Sequence, residues 1–179
     1  MKLSLLITSL SFISSLIAAA AIPDATSHNE TLAKRGGEVN YLSNCLRFDV
    51  SVANFPPDEY YASYIAWYSD VDATHSGNDR PNSLSSEYRD WSKGGDFLTW
   101  EGRQQNIYFP DSGVSVQTHI ESDGRSRAFT AYAGWAQRTS DWKVFNCYRD
   151  NERQFFTWPP PVPDGTTYAI LCKAMYWCV

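Results

Sequence analysis

The chain is poor in the groups from which enzymes most often build active sites. Histidine occurs only three times and glycine ten times in 179 residues. The sequence has no G-x-S-x-G elbow, no H-E-x-x-H pair, no phosphate-binding P-loop and no dinucleotide glycine fingerprint. Those gaps remove the common routes to acyl transfer, zinc proteolysis, nucleotide hydrolysis and hydride transfer. Positive charge is also short, with 15 Lys and Arg against 20 Asp and Glu. Binding of nucleic acid without sequence preference rests on neutralising phosphates, and attraction to anionic membranes rests on the same cations. Neither partner is expected. Beyond residue 21 no apolar run is long enough to span a bilayer. The cysteines show no C-x-x-C and no accompanying His pair, so no zinc site is expected. Asp70-x-Asp72 lacks the glycine and distal glutamate of a calcium loop. No metal and no cofactor are anticipated.

What is present begins with an address. Met1-Lys2 is a short basic start, and residues 3–21 form an almost uncharged apolar run that ends in four alanines. That pattern reads as a cleaved signal peptide over 1–20. A polar pro-segment over 21–35 closes with Lys34-Arg35, which fits processing by a kexin-like protease. Asn29-Glu30-Thr31 is a glycosylation sequon inside that leader. The mature protein is then expected to be a single globular domain over 36–179, secreted and extracellular. Losing the leader removes three basic and two acidic side chains, which takes the net charge from −5 to −6. All seven Trp and all eleven Tyr fall in the mature part, and such rings supply large buried areas.

Four cysteines remain: Cys45, Cys147, Cys172 and Cys178. In an exported chain they read as two disulfides, with three connectivities open. If 171–177 is a strand, Cys172 and Cys178 stand about 20 Å apart, beyond disulfide reach. Cys45 then joins one of the last two cysteines and Cys147 the other.

The mature sequence reads as mainly strands. Residues 45–53 alternate, with Leu46, Phe48, Val50 and Val52 on one face. Pro56-Pro57-Asp58-Glu59, followed by Tyr61, Ile65 and Tyr68 at helical spacing, predicts a helix start, with a strand as the competing reading of so aromatic a stretch. Leu84, Tyr88 and Trp91 at i, i+4 and i+7, behind Asn82-Ser83 and before Gly94-Gly95, predict a short capped helix. Strands are predicted over 97–100, 106–109, 114–121, 127–136, 142–148, 155–158 and 168–177. Asp123-Gly124 predicts a two-residue hairpin turn, which sets Ile120 opposite Arg127, Thr118 opposite Phe129 and Val116 opposite Ala131. Residues 158–163 form a polyproline-type loop. The expected fold is α+β: mainly an antiparallel sheet with one or two short helices, stabilised by disulfides.

The best polar cluster for chemistry is His119, Glu121, Arg125 and Arg127. A base, an acid and a phosphate clamp are what ribonuclease chemistry requires. The competing reading is the wet outer face of a hairpin, where polar residues alternate routinely. The other mature histidine, His75, lies in a polar loop. Trp91, Trp100, Trp135 and Trp142 are candidates for stacking on sugar faces, against the usual fate of Trp in a core.

Leader, dibasic site and small acidic disulfide domain together resemble the small secreted effector and toxin-like proteins of ascomycete fungi. Residues 145–151, FNCYRDN, and the closing YWCV add a looser similarity to secreted proteins of that group. The chain lacks the aromatic-x-Cys motif of the ribonuclease-like effector class, since Tyr41 precedes Cys45 by four. No functional residue carries over. The processing plan, the disulfide framework and the lack of a strong catalytic motif lead to the expectation of a non-catalytic protein that binds a host or competitor protein. A ribonuclease-type hydrolase and a polysaccharide-binding module are the alternatives.

Overall fold

A computed structural model describes residues 37–50, 58–74, 80–158 and 167–179. The leader with Asn29 and Lys34-Arg35, the Pro56-Pro57 pair, His75 and the loop over 159–163 lie outside the described residues. Nine strands follow in chain order: β1 (Val39–Val50), β2 (Asp58–Tyr68), β3 (Ser83–Leu84), β4 (Gln104–Phe109), β5 (Val114–Ile120), β6 (Tyr132–Arg138), β7 (Val144–Arg149), β8 (Gln154–Trp158) and β9 (Thr167–Cys178). They form one sheet in the order β3-β2-β1-β9-β7-β6-β5-β4, with β8 beside β9. Every strand pair is antiparallel. The helical content among the described residues is three 3-10 turns, Val71–Thr74, Trp91–Lys93 and Gly124–Ser126.

The sheet curls into a nearly closed barrel, and the segment after β3 closes the gap. Tyr88 exchanges two backbone hydrogen bonds with Ser63 of β2. On the other side the Ser86 N–H donates to the Tyr108 carbonyl of β4 at 2.8 Å. Closing a barrel satisfies edge groups that would otherwise pair with another chain. Leu42, Ile65, Ile107, Val116, Phe145 and Tyr176 fill the interior, joined by Trp100 from the irregular stretch before β4. A second cluster lies outside the barrel, where β8 and the first 3-10 turn cover β1, β2 and β9. There Tyr41, Tyr68, Phe155 and Phe156 pack against one another.

The disulfides are Cys45–Cys172 and Cys147–Cys178. The expected pattern of two long-range bridges holds, and the open choice of partners is settled. Both bridges join residues directly opposite one another on paired strands.

Three local expectations are corrected. The helix predicted after Pro56-Pro57 is β2. Ala62, Tyr64 and Tyr68 face the outer cluster while Ile65 faces the interior. From Ala62 onward both faces are buried, which erases the polar half of the period-two pattern and, with the half-exposed Tyr61, lets Tyr61, Ile65 and Tyr68 mimic helical spacing. The helix predicted over 84–91 is β3 followed by extended chain. Leu84 packs on the outer cluster, Tyr88 on the inner one, and Trp91 is 74% exposed. No shared face exists for a helix to bury. The cap and stop signals serve the three-residue 3-10 turn instead: Asp90 caps Ser92, and Gly94 is left-handed at φ 74°. The stretch 97–100 is irregular rather than a strand.

The hairpin register also differs. Ile120 lies opposite Gly134, Thr118 opposite Ala136 and Val116 opposite Arg138. Asp123-Gly124 opens a 3-10 turn within a connection over 121–131, and Phe129 is exposed. Gly134 fixes this register. It sits at φ 149°, and a Cβ there would lie 2.1 Å from the His119 carbonyl oxygen. A backbone approach that close admits glycine alone.

Two expectations follow for stability. Chain-entropy arguments assign about 5 kcal/mol to the Cys45–Cys172 bridge and about 4 kcal/mol to Cys147–Cys178, because the sequence separations are 127 and 31. Urea unfolding of C45S/C172S should therefore show a larger loss than C147S/C178S; the reverse order would contradict this. Gly134→Ala should cost about 3 kcal/mol or more, whereas Gly113→Ala, left-handed but with open space around it, should cost about 1 kcal/mol.

Candidate functional site

The predicted polar cluster is dispersed into separate pairings. His119 stacks on Trp135 with ring centroids 5.6 Å apart. Arg127 donates to Asp123 and to the Tyr132 carbonyl, both at 2.6 Å. The bond to Asp123 raises the Arg127 pKa, with a smaller contribution from Glu121. Arg125 reaches Glu152 at 4.0 Å on the surface. Glu121 follows β5, and its backbone N–H donates to the Ala133 carbonyl. None of the four lines either of the cavities described next.

The four tryptophan candidates divide. Trp100 is buried and its indole N–H donates to Asn44 at 3.1 Å. Trp135 is half-buried beside His119. Trp91 and Trp142 are 74% and 66% exposed. Trp91 borders an open groove of about 470 Å³ together with Tyr60, Tyr61 and Arg89. The Arg89 guanidinium lies 3.5 Å from the Tyr60 ring centre, a cation–π arrangement.

A second concavity, lined in part by apolar side chains, opens at one end of the barrel. It encloses about 400 Å³ between the start of β1, the end of β2, β3, the β4–β5 turn and the β6–β7 turn. Trp67, Phe109, Val114 and Val116 supply an apolar lining. Its rim is charged, with two cations against three carboxylates. Arg138 donates through Nε and Nη2 to both carboxylate oxygens of Asp141, and through Nη1 to Glu38. Glu38 also accepts from the Trp67 indole at 2.8 Å and from Lys143 at 2.6 Å. The Ser83 hydroxyl donates to Asp111 at 2.7 Å. Burial alone would raise the Glu38 pKa. The hydrogen bonds from Lys143, Trp67 and Arg138, together with the Arg138 charge, outweigh burial and hold it below the ordinary value. The Arg138 hydrogen bonds pull Asp141 down to about 2.

Sequence reasoning passed over this site. Glu38 and Arg138 are 100 residues apart, and neither belongs to a recognisable motif. The register of β1 against its neighbours is what brings them together.

The outer face of β4 to β7 is the other conspicuous surface. Gln104, Asn106 and Tyr108 stand beside Ser115, Gln117 and His119, then Trp135 and Gln137, then Val144, Asn146 and Tyr148. No Asp, Glu, Lys or Arg is among them. Gln104 and Gln117 are hydrogen-bonded at 3.2 Å. Among the described residues, no group of three or more His, Cys, Asp or Glu is arranged to hold a metal. No described helix is long and apolar enough to cross a membrane.

The rim clamp has a definite pH dependence. Both carboxyls are depressed in the folded state, so their contribution is complete above their ordinary values of 4.5 and 3.8. It is lost as pH falls through the folded values, toward 2. The Trp67 indole N–H resonance should shift over that window, and Glu38→Gln should move it at neutral pH. A resonance indifferent to both changes would contradict the clamp. In comparisons with known proteins, no family model, no curated protein and no solved structure matches this chain.

Proposed function

We propose that the chain is a secreted, non-catalytic binding protein of the effector or toxin-like kind, which engages a host or competitor protein. Support for export comes from the signal-peptide pattern, the Lys34-Arg35 site and two disulfides, which persist in oxidising compartments. The observation that carries the binding reading is the uncharged outer face of β4 to β7. Interface cores are depleted in charge and enriched in aromatic residues. Trp and Tyr provide rigid contact area, while Asn and Gln adapt their hydrogen bonding to a partner. Here both kinds stand on a sheet, so little ordering is needed on association.

A second reading is favoured by Trp91 and Trp142, whose exposed rings suit the faces of sugars. It places the target in cell-wall polysaccharide.

The mature chain over 36–179 is to be applied to plant tissue and to competing fungal cultures. A response is expected, and Gln117→Arg with Asn146→Arg should weaken it about thirtyfold, because an unpaired charge buried in an interface costs at least about 2 kcal/mol. Circular dichroism should show the variant folded. A response equal in variant and parent would overturn the reading. So would RNA cleavage that His119→Ala abolishes, which would restore the ribonuclease alternative. Retention on insoluble polysaccharide that Trp91→Ala removes would transfer the proposal to the second reading.

A further inference from the structure

We propose that the barrel mouth is a binding site for a small, planar, non-anionic ligand that carries a hydrogen-bond donor beside an acceptor, such as a carboxamide, a cyclic amide or an amino-heterocycle. This goes beyond the protein-binding reading, because the mouth lies at the end of the barrel and the uncharged face lies on its side.

Size and lining come first. A concavity of about 400 Å³ falls within the usual range for small-molecule sites, and barrel mouths are frequent places for them. Trp67 and Phe109 are flat walls, and Val114 and Val116 add apolar surface. Trp67 is held in place by its indole hydrogen bond to Glu38. An aromatic wall fixed in advance loses little freedom when a planar ring stacks on it.

Charge comes second. Two cations face three carboxylates at the rim: Arg138 pairs with Glu38 and Asp141, Lys143 with Glu38, and Asp111 accepts only from the Ser83 hydroxyl, so the rim is net negative. Among the described residues of the rim, no uncommitted cation is left to receive an anionic ligand. A carboxylate entering the mouth would give up its hydration and gain only hydrogen bonds that the clamp already uses. An uncharged ligand avoids that cost.

Asn40 supplies the specificity. It lies on the interior face of β1, is 2% exposed and lines the cavity. No side-chain hydrogen bond holds its amide among the described residues, and its polar atoms are not among the fully enclosed ones that lack a partner, so they open onto the cavity. An amide held this deep presents one N–H donor and one C=O acceptor side by side. The ligand edge that pairs with both is again a donor next to an acceptor, as when asparagine grips an adenine edge. A ligand with an acceptor alone leaves half of that amide unpaired, and a hydrocarbon leaves both halves unpaired.

The test uses benzamide and 9-methyladenine as probes and benzoate as the charged control. The isotopically labelled mature chain is titrated, and the Asn40 side-chain NH2 and Trp67 indole N–H resonances are followed. Benzamide or 9-methyladenine should shift both signals saturably, with benzoate at least about tenfold weaker. Asn40→Leu should weaken the bound probe about tenfold or more. Ser140→Trp alters an exposed rim residue, leaves the core untouched and should block the mouth. If neither probe shifts these signals, the site is not of this kind. Binding that survives both substitutions, or benzoate binding as tightly as benzamide, would equally overturn the proposal. None of these results bears on the response to the Gln117→Arg, Asn146→Arg chain, so the two readings fail separately.

Discussion

The pairing of β9 with its neighbours is the constraint on which the rest of the molecule depends. β9 lies against β1 along one edge, and against β8 and then β7 along the other. It is the last strand made, yet it sits between the first two strands and the β4 to β7 half of the barrel. Each half is anchored to it by a disulfide between directly opposed residues. The change of partner from β8 to β7 happens at a bulge, where Met175 is the extra residue between Ala174 and Tyr176. The Met175 carbonyl accepts from the Asp150 N–H at 3.0 Å and from Arg149 at 2.8 Å. A bulge disrupts the ladder and needs such outside partners. The residues at the end of β7 supply them.

Both candidate surfaces are consequences of that closure. Bringing β1 beside β9 sets Glu38 and Asn40 across the barrel end from the β6–β7 turn, where Arg138 and Asp141 complete the rim. The interior below holds apolar side chains, two polar pairs (Trp100 with Asn44, and Tyr176 with Glu101) and the buried Thr118, whose hydroxyl oxygen has no partner among the described residues. Burial against the Glu101 carboxylate raises the Tyr176 pKa, so its hydroxyl stays a donor. The β4 to β7 outer face is left without charge, unlike the rim with its dense ion pairs. The molecule separates its two surfaces by chemistry: the end carries ion pairs and one further carboxylate, Asp111, and the side offers uncharged hydrogen-bonding groups and rings.

How much of this was legible in the sequence depended on how many faces of a strand are buried. β5 could be read because Val116 and Ile120 alternate with Gln117 and His119, one face dry and one half-wet. β2 could not, because both its faces are covered and the alternation carries no contrast. The disulfide pattern followed from strand geometry, but the choice between Cys172 and Cys178 for Cys45 needed the register of β1 on β9. The β5–β6 register needed Gly134, whose isolated glycine gave no sign that another backbone presses against it. His119 and Glu121 were visible as chemistry-bearing types, but their partners come from β6 and from the connection after β5. The rim was the least legible part, since Glu38, Arg138 and Asp141 are ordinary surface residues until closure assembles them.

Native-state hydrogen exchange measures the central role of β9 directly, since local opening energies rise from fraying edges to the globally protected core. The account predicts that amides over 171–177 and their partners on β1 exchange slowest, through global unfolding alone. Amides of β3 and β4, at the two ends of the strand order, should exchange faster. Rapid exchange along β9 while β4, β5 and β6 stay protected would contradict it, and would mean that the barrel half stands without the strand described here as its spine.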